Sequence, residues 1–444
     1  MTGVSDCGPA VMPIAATSRV LPAGSRRAFA GPVHRLLASI AACAASGSSA
    51  CTGTPCQIDR LDDVPAAPAG EVRHGFALGQ QASLAATADG VACLTCSGVY
   101  YFNPALSEQR HVALDLQGPG ELAIGGDTTF VFDRDPGLAD SASGGAPADS
   151  QLHALSATGR ELWRDDFGSG PARRDLLAGP ASVVIYDEEI ASAFDPATGA
   201  ARWIAEFDRG DAFAADATGG LFVATGDSRL GPATPEATLR RFDGGGAPTW
   251  TVTWTTTDAP PAAGGDVGFT VAALAAGGGL VVAGRFTTAT LELGGLSLAA
   301  LPLHGSVDGT RFVAAIDPGG AVRWAVAAGA SDTDGRIDVR RIAALGDGAV
   351  ICGDYAGGGQ LGLPATDATG DAFVARVDPD GAITAHAIAG DGDQRCEGLA
   401  VAPDGSATVV VHSLRGPGGS VLRVGSQMFD DGPENAFYVL NLAP

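Results

Sequence analysis

The chain has 444 residues, 45% of them hydrophobic, with 64 Gly, 27 Pro and a formal net charge of −23. All 27 basic side chains are arginine, so a phosphate-loop lysine and a lysine Schiff base are both excluded. A surface this acidic repels phosphate backbones, which argues against nucleic acid as a partner.

In chain order, residues 1–50 read as a leader. Arg26, Arg27 and Arg35 precede a short apolar run, Leu36–Ala45, which gives way to small residues. That is the order of a secretory signal, and Val33 fits an alternative start. Ile40-Ala41-Ala42-Cys43 has the form of a bacterial lipoprotein box, which makes Cys43 the lipidation candidate and Cys51 the alternative. A plain signal peptide cut near Ala50 is the other reading. Residues 51–69, with the Ala/Pro stretch Asp62–Gly70, read as a linker, and residues 70–444 as the folded domain. If the chain is cut at Cys43, the six cysteines beyond it are Cys51, Cys56, Cys93, Cys96, Cys352 and Cys396. An oxidising compartment favours pairing them. Sequence neighbours suggest Cys51–Cys56 and Cys93–Cys96, leaving Cys352 with Cys396. Cys93-Leu-Thr-Cys96 could also be a redox motif, but it lies in a strand–turn–strand segment and does not open a helix.

One phrase then recurs seven times: an alternating apolar strand that runs into a polar turn. Its end residues are Asn103, Ser156, Asp195, Asp243, Asp317, Asp378 and Asn441. Two strand-like runs precede each phrase, as in Arg341–Leu345 with Ala349–Cys352, and a fourth follows most of them, as in Ala200–Phe207. Each unit is a meander of strands A, B, C and D in which the phrase is strand C. A single unit cannot bury its own apolar face, so the units stack. The last unit stops after strand C, while residues 70–79 stand alone in front and look like a strand D. The reading is all-β: a seven-bladed β-propeller of four-stranded antiparallel blades, its N-terminal strand closing the last blade. Trp163, Trp203, Trp250 and Trp324 fall seven or eight residues after their phrase ends, where a large ring would pack blade against blade.

Phe194-Asp-Pro-Ala-Thr-Gly-Ala-Ala-Arg-Trp203 and Leu155-Ser-Ala-Thr-Gly-Arg-Glu-Leu-Trp163 resemble the Trp-docking repeats of quinoprotein-like (PQQ-like) propellers. Asp371–Gly381 and Gly398–Gly405 are similar to bacterial secreted propeller repeats of the SBBP type. The resemblance implies the fold over about Gly70 to Pro444 and says little about function. Quinoprotein dehydrogenases typically carry a vicinal cysteine pair and Glu, Asn and Asp calcium ligands under the cofactor. This chain has no adjacent cysteines, and its asparagines, Asn103, Asn435 and Asn441, lie in or beside the phrases, so the cofactor is not carried over.

The A–B and C–D turns are tight, whereas several B–C connections are long: Arg134–Ser150, Thr287–Gly309, Ala356–Gly370 and Leu414–Glu434. In a meander the B–C and D–A connections emerge on one face, around the channel mouth, where binding residues are commonly found. Acidic D–A loops on that face offer Asp332, Asp334 and Asp338 to a calcium ion, or else are solvated turns. The same geometry brings Cys352, ending a strand B, beside Cys396, entering the next strand A, and a disulfide between them would tie two blades. No zinc-protease motif or nucleophile elbow occurs, and Gly357–Gly362 matches a phosphate-loop pattern without the helix it needs. No catalytic residue is assigned and no cofactor besides calcium is called. The sequence thus reads as an exported monomer that binds or scaffolds a protein or glycan. The alternatives are an envelope assembly lipoprotein, or a hydrolase or lyase with acidic channel residues.

Overall fold

A computed structural model describes residues 58–60, 72–78 and most of 83–443. The longest stretches outside the described residues are 1–57, 61–71, 134–149, 168–174, 227–235, 258–266, 302–308, 415–421 and 430–435. Residues 1–50, read above as a leader, and Cys51, Cys56, Cys96, Asp332 and Asp334 therefore lie outside the described residues.

Seven antiparallel meanders form the molecule. Their innermost strands, A of blades 1 to 7, are Ser83–Thr87, Glu121–Gly125, Asp175–Ala178, Ala212–Ala215, Val267–Leu274, Gly335–Leu345 and Asp393–Val401. Each A strand touches the A strand of the next blade, and blade 7 touches blade 1, so the ring is closed. The recurring phrases are the third strands: Gly98–Phe102, Gln151–Leu155, Ile190–Phe194, Glu236–Phe242, Gly309–Ile316, Asp371–Val377 and Ala436–Leu442. Sandwiched between neighbouring blades, some of these strands bury both faces; every residue of Gly309–Ile316 is buried. Closure is by the N-terminal strand. Val72–Leu78 pairs antiparallel with Ala436–Leu442, with Gly75 opposite Leu440 and Ala77 opposite Tyr438. No blade is left as a three-stranded sheet with an open C-strand edge.

Five of the phrases end in a residue whose side chain gives the C–D turn an acceptor; Asp378 instead takes Arg376, and Asn441, which lies within its strand, donates to Thr408 Oγ1. Asp195 Oδ1 accepts the N–H groups of Ala197 and Thr198 at 3.1 and 3.0 Å. Asp243 and Asp317 do the same for Gly245 with Ala247 and for Gly319 with Ala321, each at 2.9 Å. These are Asx turns, which compensate backbone donors left over by the strand.

Four of the five tryptophans, those that follow the phrases at regular spacing, join blades. Trp163, third residue of strand D in blade 2 (Glu161–Asp166), donates its indole N–H to Pro196 O of blade 3 at 3.0 Å. Trp203 donates to Gly219 O of blade 4 at 3.3 Å and Trp250 to Pro318 O of blade 5 at 2.9 Å. Trp324 reaches Asp347 O of blade 6 at 3.0 Å. The rings of Trp163, Trp203 and Trp250 lie on glycines of the neighbouring C–D turns. A Cβ on Gly199 would sit 2.9 Å from the Trp163 ring, and one on Gly246 would sit 3.0 Å from Trp203. Both glycines also have positive φ, +70° and +78°, so glycine is required there twice over. Blade 1 has Arg110 at the equivalent place, and its guanidinium bonds Ala157 O of blade 2.

Two long B–C connections are not plain loops. Thr290–Leu293 and Leu296–Ala299, from blade 5, form a hairpin on strand D of blade 4 and extend that sheet to six strands. Leu422–Val424 and Gln427–Phe429, from blade 7, do the same on blade 6. Leu291, Leu293, Leu422 and Val424 are fully buried by this, which is the apolar gain that folds the hairpins back. Ile58–Arg60, inside the segment read as linker, adds a fifth strand to blade 7 by pairing with Val72–Leu78.

Candidate binding site at the channel mouth

Call the side carrying the B–C and D–A connections the loop face. Strand A runs inward from it, so the first residues of each A strand line the channel mouth. Blades 2 and 3 open with Glu121 and Asp175, while blades 1 and 5 open with Ser83 and Val267 and blade 4 contributes Ala-Phe-Ala-Ala, all buried; none of these five strands carries an arginine. Blades 6 and 7 differ. Strand A of blade 6 reads Gly-Arg-Ile-Asp-Val-Arg, and its alternation buries Ile337 and Val339 while Arg336, Asp338 and Arg340 share the other face. The strand bulges between Val339 and Arg341, and the strand A of blade 7 bulges between Cys396 and Gly398. Bulges re-aim side chains near sites; here the extra residues are Arg340 and Glu397.

Asp338 lies directly opposite Asp354 on strand B of blade 6 (Gly348–Gly357). Two carboxylates so placed repel, and each is matched by arginine. Asp338 takes Arg311 of blade 5, whose Nε and Nη2 lie 3.2 and 2.5 Å from Oδ1. Asp354, with no exposed side-chain surface, receives Arg336 Nη2 on Oδ2 at 2.9 Å and Arg340 Nε on Oδ1. Burial disfavours the Arg340 guanidinium, but Asp354 outweighs it and holds the arginine above its ordinary pKa. In blade 7, Arg395 Nε and Nη2 clamp Asp393 Oδ2 at 3.1 and 2.7 Å. Of the three residues offered to calcium, Asp338 pairs through Oδ1 with Arg311, while Asp332 and Asp334 lie outside the described residues. Among the described residues no three His, Cys, Asp or Glu side chains are grouped to hold a metal.

Beneath this layer lies the disulfide. Cys352 and Cys396 are bonded, their Cα atoms 6.0 Å apart. They sit in mid-strand, buried between blades 6 and 7, deeper than the strand ends where the sequence puts them. Strand alternation sets Asp354 directly above Cys352 and Gln394 above Cys396. Gln394 is fully buried; its Nε2 donates to Ser413 Oγ at 3.3 Å, while its Oε1 has no partner among the described residues. On the opposite side of blade 6 the Tyr355 hydroxyl is buried and likewise unmatched, its pKa raised by burial and by Asp371. Cys93, in strand B of blade 1, is fully buried, and its expected partner Cys96 is outside the described residues.

Sequence reasoning missed Arg336, Arg340, Arg395, Asp354 and Gln394. Only the density of charge in Arg336–Arg341 and Asp393–Glu397, set within otherwise apolar inner strands, could have marked them.

No family model matches the chain, and neither does any curated protein. Solved structures match at low identity. BamB from Moraxella catarrhalis is 14% identical, with 83% of this chain and 96% of that one covered and a TM-score of 0.41. The β-propeller domain of the Trilobed protease from Pyrococcus furiosus is 9% identical, covering 86% and 98%, with a TM-score of 0.41. The Pan2 WD40 domain of Neurospora crassa is 12% identical, covering 74% and 90%, with a TM-score of 0.38. The chain is a seven-bladed β-propeller on its own strand pairing.

Proposed function

We propose that the chain is an exported, non-catalytic β-propeller that binds or scaffolds a protein or glycan partner through its loop face. One observation carries this reading: blades 6 and 7 gather arginines and carboxylates at the channel mouth, over a ring that is closed and covalently tied at that point. A fixed polar cluster on a rigid scaffold suits recognition. Asp354 accepts a guanidinium on each oxygen and is fully buried, which is not the setting of a general acid or base. Export is supported by the disulfide, since such bonds persist in oxidising compartments, and by the basic–apolar–small order of residues 26–50. Lipidation at Cys43, with Cys51 as alternative, would tether the propeller to a membrane, and Asp332, Asp334 and Asp338 would supply any calcium dependence.

The experiment is a screen of the purified chain against protein and glycan arrays, with and without calcium, repeated with Arg336→Glu and Arg395→Glu. Supporting the reading are ligands retained by the parent and lost by both variants. Ligands indifferent to both variants, or turnover of a bound compound, would sink it. Fractionation of the Cys43→Ala and Cys51→Ala variants tests the anchor: the lipidated cysteine is the one whose loss releases the protein from membranes.

A further inference from the structure

We propose that the channel mouth between blades 6 and 7 is a carboxylate-binding site whose donors are the guanidiniums of Arg336, Arg340 and Arg395. This rests on the loop face being the binding face and names the chemistry that face would take. The three arginines come from two adjacent inner strands, and their side chains are 43%, 33% and 39% exposed. None has all its donors used among the described residues. Arg336 gives only Nη2 to Asp354, and its buried Nε has no acceptor. Arg340 gives only Nε to Asp354. Arg395 gives Nε and Nη2 to Asp393 and keeps Nη1.

A guanidinium held by a carboxylate on one edge is pre-oriented, and its open edge is a planar donor pair that fits a second carboxylate. The contrasting pairs show what a purely structural arginine looks like here. Arg311 is 5% exposed beside Asp338, and Arg241, on the opposite face, spends Nε and Nη2 on buried Asp216 and Nη1 on Pro318 O. The mouth arginines are neither buried nor saturated. Negative groups nearby are Asp354 and Asp393, which hold the three arginines, Asp338, already taken by Arg311, and Glu397 on the bulge of blade 7. The chain's net charge of −23 disfavours long polyanions, which leaves an isolated carboxylate as the matching group. Such a group has two sources, a small free carboxylate or the C-terminus of a peptide entering end-on.

The test is isothermal titration calorimetry of the full chain with succinate, with tetra-alanine as the free acid, with tetra-alanine amide and with inorganic phosphate. Expected is saturable binding of at least one carboxylate probe. Affinity should fall roughly tenfold or more in Arg395→Gln and in Arg336→Gln, the loss of one charge-assisted bond. Far-UV circular dichroism and urea midpoints confirm that the variants fold, and Arg241→Gln, on the opposite face, serves as a structural control that leaves affinity within about twofold. Succinate alone binding assigns a small ligand; the free peptide binding while its amide does not assigns a C-terminus. No binding by either carboxylate, equal or tighter binding of phosphate, or affinity unchanged in both variants would overturn the site. If succinate binds through these arginines while the partner screen stays empty, the partner reading fails and the carboxylate site stands.

Discussion

Replacing Gly199 by alanine separates the two reasons why glycine stands there. Gly199 has φ +70°, and a Cβ would lie 2.9 Å from the Trp163 ring carbons. Forcing an L-residue into the left-handed region costs roughly 1–2 kcal/mol. Pushing a methyl group into a docked ring adds overpacking of about 1–3 kcal/mol. Gly199→Ala should therefore destabilise by about 2–5 kcal/mol. Gly126 is the control, because its φ is +61° and nothing lies within 4 Å of a Cβ. Gly126→Ala should show the conformational cost alone, about 1–2 kcal/mol. In a Trp163→Ala background the ring is gone, and Gly199→Ala should likewise cost only about 1–2 kcal/mol, a coupling of about 1–3 kcal/mol in the double-mutant cycle. Equilibrium urea unfolding followed by far-UV circular dichroism reads all four. An equal cost for Gly199→Ala with and without Trp163, or a Gly126→Ala cost as large as that of Gly199→Ala, would refute blade docking through this ring.

Further outcomes follow from the same geometry. Replacing both Cys352 and Cys396 by serine opens a link with a sequence separation of 44 and should cost about 4 kcal/mol on chain-entropy grounds; peptide mapping that finds both as free thiols in exported protein would remove the bond. Leu291→Ala and Leu422→Ala should each cost about 2–5 kcal/mol if the two hairpins are packed, and near zero if they are loose loops. His153, His386 and His412 all have pKa values lowered, chiefly by burial, so the unfolded chain binds their protons first. Stability should therefore be full above the unfolded value of 6.5 and decline as pH falls through it toward the folded values. Asp404 and Asp195 are lowered too, Asp404 chiefly by its hydrogen bonds from Ser406, and Asp195 by those from Thr198 and Ala197, which outweigh a burial effect that raises it. Their contribution is present above the unfolded 3.8 and is lost as pH falls below it. A urea midpoint flat from pH 7 to 5, or one unchanged by a His153→Gln, His386→Gln, His412→Gln triple variant, would contradict the histidine part.

Much of the fold was legible because it is local. The phrase alternates with period two, and five of its seven copies, from Ser156 to Asp378, run into a turn with a positive-φ glycine. Closure was legible from a surplus strand at one end and a missing one at the other. The hairpins were not, because Thr-Leu-Glu-Leu and Leu-Arg-Val are too short to stand out and gain their burial only against a neighbouring blade. Cys352 and Cys396 were placed near strand ends because the charged residues beyond them look like loop; in the structure Asp354 and Asp393–Arg395 continue the strands, since arginines satisfy the carboxylates. The arginine cluster escaped for a related reason. Its partners lie far apart in sequence, as Arg311 with Asp338 and Arg336 with Asp354, and a bulge, which no local pattern announces, aims Arg340.

Ring closure by the N-terminal strand is tested most directly by hydrogen exchange of the native chain, read by peptide mass. Amides of Val72–Leu78 should be protected and should open together with those of Ala436–Leu442, since the two strands are paired from Val72 with Leu442 to Leu78 with Phe437. Free exchange of 72–78 while 436–442 stays protected would mean that the last blade is not closed by this strand.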